Sequence, residues 1–497
     1  MRSLYVTQEL APFFAEGGLG LTSKALPDAL GAHCGLRHDI VLPCYPRLLE
    51  RSGLRTQEVL RLPARRVGGV RAEGSVHRLV DPPVDSGVYL IRSDAWYDRP
   101  GMYRDEHYAP FADEAERAAY FGWCVARWLS ATGPRYGLVH GNDWQSGAAM
   151  AHLRARFPRL PQLLTVHNGL YRGDLTHCAP ATLGLPARRL SLLAEASRGR
   201  PSLLLAAVQA ADAVATCSSG YAAELVARAD EDPVAAALRE TGVTGIPFGV
   251  DGSCWDPGAE GHGHAPFGSA TVAAGKRSGK RALQRRLALR EDPALPVLGV
   301  CSRLVPEKGT DLLLAGLGPL LRAGRLQLVL VGPATDELRR ELSGLAEAAP
   351  GLLAHVPRFD QDVAWLLYAG SDLTVMPSRS EPGGLNQLIA YRYGTLPLVS
   401  PVGGLRDTVV DLRRDPVAGT GFFIAEHTAL SVRETVLAAL AWITRSPDDL
   451  DTVRRRVMEQ DWSWAATARR YAVLYRRLVA RAEGPDPDAA IAPAGAR

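Results

Sequence analysis

The residues V-L-G-V-C-S-R-L-V-P-E-K-G, Val297 to Gly309, open as a strand and close as a turn. Val297–Cys301 is a short apolar run, the pattern of a strand buried on both faces. Arg303 and Lys308 follow, five residues apart across a turn that holds Pro306. Open α/β sheets bind ligands at the C-terminal ends of their strands. Two cations placed there can neutralise a departing diphosphate; the alternative is a solvated loop. Lys308 is one of only four lysines, with Lys24, Lys276 and Lys280, in a chain that otherwise uses Arg.

The same rhythm extends in both directions. Short apolar runs occur at Leu4–Val6, Asp39–Leu42, Val88–Ile91, Leu138–His140, Leu163–Val166 and Ala213–Cys217, then at Leu326–Val331, Leu373–Met376 and Leu396–Ser400. Amphipathic stretches such as Asp113–Leu129 and Ser219–Ala229 separate them. Strands alternating with helices predict parallel sheets covered on both faces. Ten such strands exceed one comfortable sheet, so the expected fold class is α/β with two doubly wound, Rossmann-like domains facing a cleft. The expected boundaries are 1–252 for the first domain, 253–292 for a Gly-rich linker, and 293–460 for the second domain. A C-terminal helix over 461–482 and a disordered tail over 483–497 complete the division.

Composition narrows the function classes. The 497 residues are 46% hydrophobic and 22% charged with a net charge of +4, so charge does not point to nucleic acid. The seven cysteines are scattered and form no C-x-x-C pair, which predicts neither disulfides nor zinc and fits a reducing cytoplasm. The N-terminal apolar run is too short for a signal peptide, and no stretch approaches ~18 uncharged apolar residues, so no membrane partner is expected. The oligomeric state is open.

Two further places are arranged as if for a phosphate. F-F-A-E-G-G-L-G, Phe13 to Gly20, follows the first strand; Gly17 and Gly18 let backbone N–H groups approach an anion, and a plain turn is the alternative. In P-S-R-S-E-P-G-G-L-N-Q, Pro377 to Gln387, the residues Gly383, Gly384, Leu385 and Asn386 open a helix whose N-terminus favours an anion. Glu381 stands at its mouth, where a bare phosphate site would not want a carboxylate. A ligand carrying both a phosphate and a polyol resolves the conflict, with helix capping as the competing role. T-V-H-N-G puts His167 at one strand end, and N-D-W puts Asp143 at another.

Ten landmarks in order make the chain resemble the bacterial glycogen synthase and plant starch synthase family, which has the glycosyltransferase-B fold. They are E-G-G-L (16–19), N-D-W-Q (142–145), T-V-H-N (165–168), G-V-D-G-S-C-W-D-P (249–257), K-R-A-L-Q (280–284), S-R-L-V-P-E-K-G (302–309), the 377–387 stretch, Y-G-T-L-P-L-V (393–399), G-G-L-R-D-T-V (403–409) and D-W-S-W (461–464). The resemblance implies retaining transfer of a hexosyl unit from a nucleotide diphosphate sugar to a carbohydrate acceptor, with no metal or cofactor required. By motif position, Arg303 and Lys308 hold the diphosphate, and Glu381 holds the sugar. His167 and Asp143 face its other side, and Gly384 and Asn386 donate near the phosphate. Phe359 stacks on the base, and the final helix crosses back to the first domain.

The departures are also specific. Ala15 stands where the family has Lys, Leu21 where it has Asp, Phe248 where it has an Asn at the donor sugar, and Gly383 and Asn386 where it has Cys and Thr. Glucan elongation is therefore weighed against a specialised transferase that joins a nucleotide-activated cyclitol or modified sugar to an amino-sugar acceptor, as in acarbose-type biosynthesis. A non-catalytic carbohydrate-binding relative is the third reading.

Overall fold

A computed structural model describes residues 1–82, 84–106, 109–133, 135–175 and 180–483. The chain forms two compact units. The first comprises 1–217 and 222–247 together with the chain from Trp464 onward; the second comprises Ser218–Tyr221 and Phe248–Ser463. The expected disordered tail, from 484 on, lies outside the described residues.

The first unit holds β1 (Arg2–Val6), β2 (Arg37–Pro43), β3 (Thr56–Val67), β4 (Val70–Leu79), β5 (Gly87–Arg92), β6 (Leu138–Asn142), β7 (Gln162–Val166), β8 (Ala213–Thr216) and β9 (Val243–Gly245). They lie in the order β3-β4-β5-β2-β1-β6-β7-β8-β9. All pairings are parallel except β3 with β4 and β4 with β5. The central strands are buried along most of their length, as doubly covered strands must be. The helix Trp464–Glu483 belongs to this unit, and its buried Tyr471 and Tyr475 bond to Thr165 and His140 beneath the sheet.

The second unit holds β10 (Val297–Cys301), β11 (Gln327–Val331), β12 (Leu353–Val356), β13 (Leu373–Met376), β14 (Leu396–Val399) and β15 (Phe422–Phe423). Their order is β12-β11-β10-β13-β14-β15, all parallel. In each sheet, successive strands run outward in one direction and then restart on the other side of the first strand. That reversal opens a crevice at the strands' C-terminal ends.

One expectation is overturned. The Gly-rich 253–292 segment is not a linker but part of the second unit, which begins at Phe248. Val272–Arg286 is a fifteen-residue helix. Its glycines serve close packing: a Cβ on Gly279 would lie 2.7 Å from the Ala369 backbone on helix Gln361–Gly370. Lys280 pairs with Asp372 at 2.7 Å, and Lys276 is buried, donating to the Tyr368 carbonyl at 2.8 Å. The ring of His262 stacks on Trp365 at 3.7 Å. Glycine reads as a breaker in isolation, whereas here it admits a second helix.

Candidate functional site

In the second unit β10 and β13 are neighbours, so the turns that follow them meet. Gly309 ends the Lys308 turn at φ +69°, and a Cβ there would fall 2.0 Å from the Pro377 carbonyl oxygen, so only glycine fits. Arg379 fastens the two turns, donating to both Asp311 carboxylate oxygens at 2.8 and 2.7 Å and to the Pro306 carbonyl. Within this frame Lys308 Nζ meets Glu381 Oε2 at 2.5 Å. The Ser378 hydroxyl donates to the same oxygen at 3.2 Å. Glu381 is 8% exposed. Arg303 is exposed at the end of β10 and makes no ion pair among the described residues.

The opening of helix Asn386–Arg392 closes the back of this crevice. Asn386 Nδ2 donates to the Cys301 carbonyl. Gln387 Nε2 donates to the carbonyls of Gly383 and Gly384 and to the Thr408 hydroxyl. Leu385 is the residue before the helix and is half-buried. The cavity among Cys301, Lys308, Ser378, Glu381 and Asn386 measures only ≈ 10 Å³. A larger cleft of ≈ 540 Å³, lined by Asp256, Phe267, Thr271 and Arg392, shares none of these residues.

In the first unit β6 and β7 are adjacent, which brings Asp143 and His167 together. Asp143 Oδ1 accepts from the backbone N–H of His167 at 2.7 Å and of Asn168 at 3.3 Å. Asp143 sits at φ +51°, a strained conformation for a residue with a side chain. Burial pushes its carboxyl up to about 7, opposed by those two backbone donors. Burial holds the His167 imidazole down at about 4, so the ring is neutral at neutral pH. Its Nε2 lies 3.0 Å from Asn142 Oδ1.

The glycine loop departs from the sequence expectation. Gly17 precedes helix Gly18–Cys34, but its N–H donates to Glu9 Oε2 at 3.1 Å, and the Glu16 N–H donates to the same oxygen at 2.9 Å. A carboxylate of the chain itself therefore takes the Gly17 donor, one of the two expected to meet a phosphate. Tyr103 donates to Glu9 Oε1 at 3.0 Å. Burial raises the Glu9 pKa, against the three hydrogen bonds that lower it. Leu21, in the first turn of this helix, is 56% exposed.

Lys308, Glu381 and Asn386 thus line one crevice; Gly383, Gly384 and Leu385 precede Asn386 in the chain, and Arg303 follows the lining residue Ser302. Phe359 is not among the lining residues: it is 56% exposed and follows β12, which lies two strands from β10. Phe248 is half-buried at the start of the second unit and does not line the crevice. Sequence reasoning missed Glu9, Tyr5, Asn142 and Ser378. Asn142 and Ser378 lie inside quoted landmarks, and Glu9 lies in T-Q-E-L, eight residues before Gly17.

The comparisons with known proteins agree with this geometry. Residues 2–240 match the family model of the starch synthase catalytic domain, and 283–442 match that of glycosyl transferases group 1. Glycogen synthase 2 of Geobacter sulfurreducens is 34% identical over 96% of this chain and 98% of its own length. The chain belongs to the glycogen synthase and starch synthase family. The glycogen synthase of an Anaeromyxobacter species is 36% identical over 97% of this chain and all of its own. The catalytic domain of starch synthase IV from Arabidopsis thaliana, solved bound to ADP and acarbose, superposes with a TM-score of 0.81 at 25% identity, covering 96% of this chain and 99% of that one. The fold is accordingly of the glycosyltransferase-B type. The protein is a nucleotide-sugar-dependent glycosyltransferase of the glycogen and starch synthase type. Among the described residues no helix is long and apolar enough to cross a membrane.

Proposed function

We propose that this glycogen-synthase-type enzyme extends an α-glucan with hexosyl units from a nucleoside diphosphate hexose, with retention at the anomeric carbon. The observation that carries the reading is the Lys308–Glu381 pair beside the exposed Arg303 at the second sheet's switch point. Arg303 and Lys308 draw off the diphosphate, and Glu381, turned from Lys308, accepts from sugar hydroxyls. Asn386 and the backbone of Gly383 and Gly384 border the phosphate, and Phe359 lies under the base. His167 and Asp143 contribute hydrogen-bonding groups for the sugar. The bond from the anomeric carbon to the diphosphate oxygen breaks with its electron pair passing to the diphosphate. An acceptor hydroxyl bonds to that carbon on the same face, and its proton leaves with the diphosphate. Electrostatic donors of this kind are worth about 3–4 kcal/mol each in a site that excludes water. No cofactor or metal enters the scheme.

The Arabidopsis domain, solved bound to ADP and acarbose, supports a nucleoside diphosphate donor. The altered rim favours a second reading, in which the acceptor or donor is a modified sugar or cyclitol: Leu21 is exposed and the Gly17 N–H is taken by Glu9. Incubation with a panel of nucleoside diphosphate sugars, with glycogen and maltooligosaccharides as acceptors, tests the proposal by product mass. Elongation by single hexose units is the expected result. Transfer only to amino-sugar acceptors would replace it with the second reading, and no transfer at all would overturn both.

A further inference from the structure

We infer that Asn142, backed by Tyr5, is a positioning residue that fixes the tautomer and orientation of the His167 ring. The inference deepens the proposed function, since it rests on His167 meeting the donor sugar. Its premises are hydrogen bonds within the first unit.

Asn142 ends β6 and is fully buried. Its Nδ2 donates to the Val6 carbonyl at 3.1 Å. Only the NH₂ side of an amide can donate to a carbonyl, so this bond sets which way the amide faces. The oxygen is then on the other side, where it meets two groups: the Tyr5 hydroxyl at 2.9 Å and His167 Nε2 at 3.0 Å. An amide oxygen has two lone pairs and no proton. Tyr5 must therefore donate, and His167 Nε2 must carry hydrogen. A histidine tautomer is set by the bond its ring nitrogen makes to a neighbour, and here that neighbour has one possible polarity. The next residue, Asp143, holds the main chain of the same histidine through its N–H at 2.7 Å. Adjacent residues thus grip ring and backbone separately.

The surroundings keep the ring neutral. His140 on β6 lies beneath, with its nitrogens bonded to the Tyr475 and Thr165 hydroxyls at 2.7 Å each, and burial holds it well below its ordinary pKa. Tyr5 on β1 and Tyr471 on the final helix are held un-ionised by burial. Cys217 after β8 faces the His167 carbonyl at 3.6 Å. Asp143 is the group here that titrates near neutrality, and it points to backbone N–H groups. The ring therefore keeps one orientation and one protonation pattern.

The test is long-range ¹H–¹⁵N spectroscopy of full-length, histidine-labelled protein without substrate, with His167 assigned through His167→Gln. Wild type is expected to show the Nε2–H pattern unchanged between about pH 6 and 9. Asn142→Asp, which replaces the amide NH₂ by a carboxylate oxygen of the same shape, is expected to raise the ring's titration midpoint by about one pH unit or more. It should also add an acidic limb to the kcat profile, lowering kcat about tenfold below that midpoint while donor KM moves less than about threefold. Tyr5→Phe, which leaves Asn142 in place, should retain the wild-type pattern. An Nδ1–H pattern in wild type, or a ring that titrates near the ordinary value of about 6.5, would overturn the inference, as would an Asn142→Asp spectrum matching wild type. If the spectra behave as expected but His167→Gln keeps full turnover, the tautomer assignment stands and the sugar contact of the proposed function falls.

Discussion

At the end of β6 in the first unit a buried carboxyl, Asp143, is held by two backbone N–H groups, and its neighbour His167 is neutral. At the end of β10 in the second unit, Lys308 and Glu381 meet as ions, and Arg303 is open to solvent. The two sheets share a parallel, doubly wound plan and both offer loops at a switch point, yet they furnish those loops oppositely. Neutral groups fixed by short bonds suit a polyol, whose recognition depends on direction. Cations suit a leaving group whose charge grows as the bond breaks. The fold supplies the places, and the residue types divide the work.

Removing the second unit's charge is the strongest way to break this division. Lys308→Ala should lower turnover by about 10²–10³, because a cation at the leaving group acts most in the transition state. It also leaves Glu381 buried without its partner, so a fall of a few degrees in Tm is expected alongside. Arg303→Ala should lower turnover by about 10²-fold with Tm unchanged, since its guanidinium is exposed and makes no ion pair among the described residues. Donor-consumption kinetics and thermal melts measured together check both. A loss of turnover at Lys308→Ala below tenfold would mean the cations serve the fold rather than the chemistry.

The strands that the sequence revealed were those with uninterrupted apolar runs, such as Val297–Cys301 and Leu373–Met376, because strands covered on both faces must be apolar throughout. The hairpin β3–β4 was not legible: T-Q-E-V-L-R-L-P-A-R-R-V carries charge along a half-exposed, antiparallel edge. Helix Val272–Arg286 was hidden by its glycines, whose reasons lie elsewhere: Gly275 makes room for the Phe267 ring and Gly279 for the backbone of Ala369, on another helix. The charged residues of the site were legible because strand ends announce them. Their partners were not, since Tyr5 reaches Asn142 across 137 residues, and no local pattern records that meeting. The Gly17 contact is hidden for the same reason: only the fold brings Glu9 onto its N–H.

The neutral side of the comparison has its own test in pH. Asp143 is held near 7, above its ordinary value of 3.8, so the folded protein binds more protons than the unfolded chain between those limits. Its contribution to stability is fully present below about pH 4 and is lost as pH rises through about 7. Asp143→Asn keeps an oxygen for the two backbone donors and removes the ionisation. The Tm difference, variant minus wild type, should therefore grow by about 5 °C between pH 4.5 and 8. A difference that stays flat with pH would show that Asp143 is ionised at little cost, and that the first unit does hold a charge.

The smallest effect concerns the exposed edge of the second unit. Phe359 follows β12, two strands from β10, and is 56% exposed, so it can contribute contact area but little burial. A base resting on an aromatic face gains about 1–3 kcal/mol, and exposure places Phe359 at the low end. Phe359→Ala should therefore raise donor KM about fivefold, leave kcat within a factor of two, and weaken binding of free nucleoside diphosphate by the same fivefold. Phe359→Tyr, which keeps the ring face, should restore both. Equal KM in all three proteins would remove base stacking from the second unit's role and leave its hold on the donor to the groups around the phosphate and sugar, the Lys308–Glu381 pair with Arg303 and Asn386, because the ring at Phe359 is what the stacking role rests on.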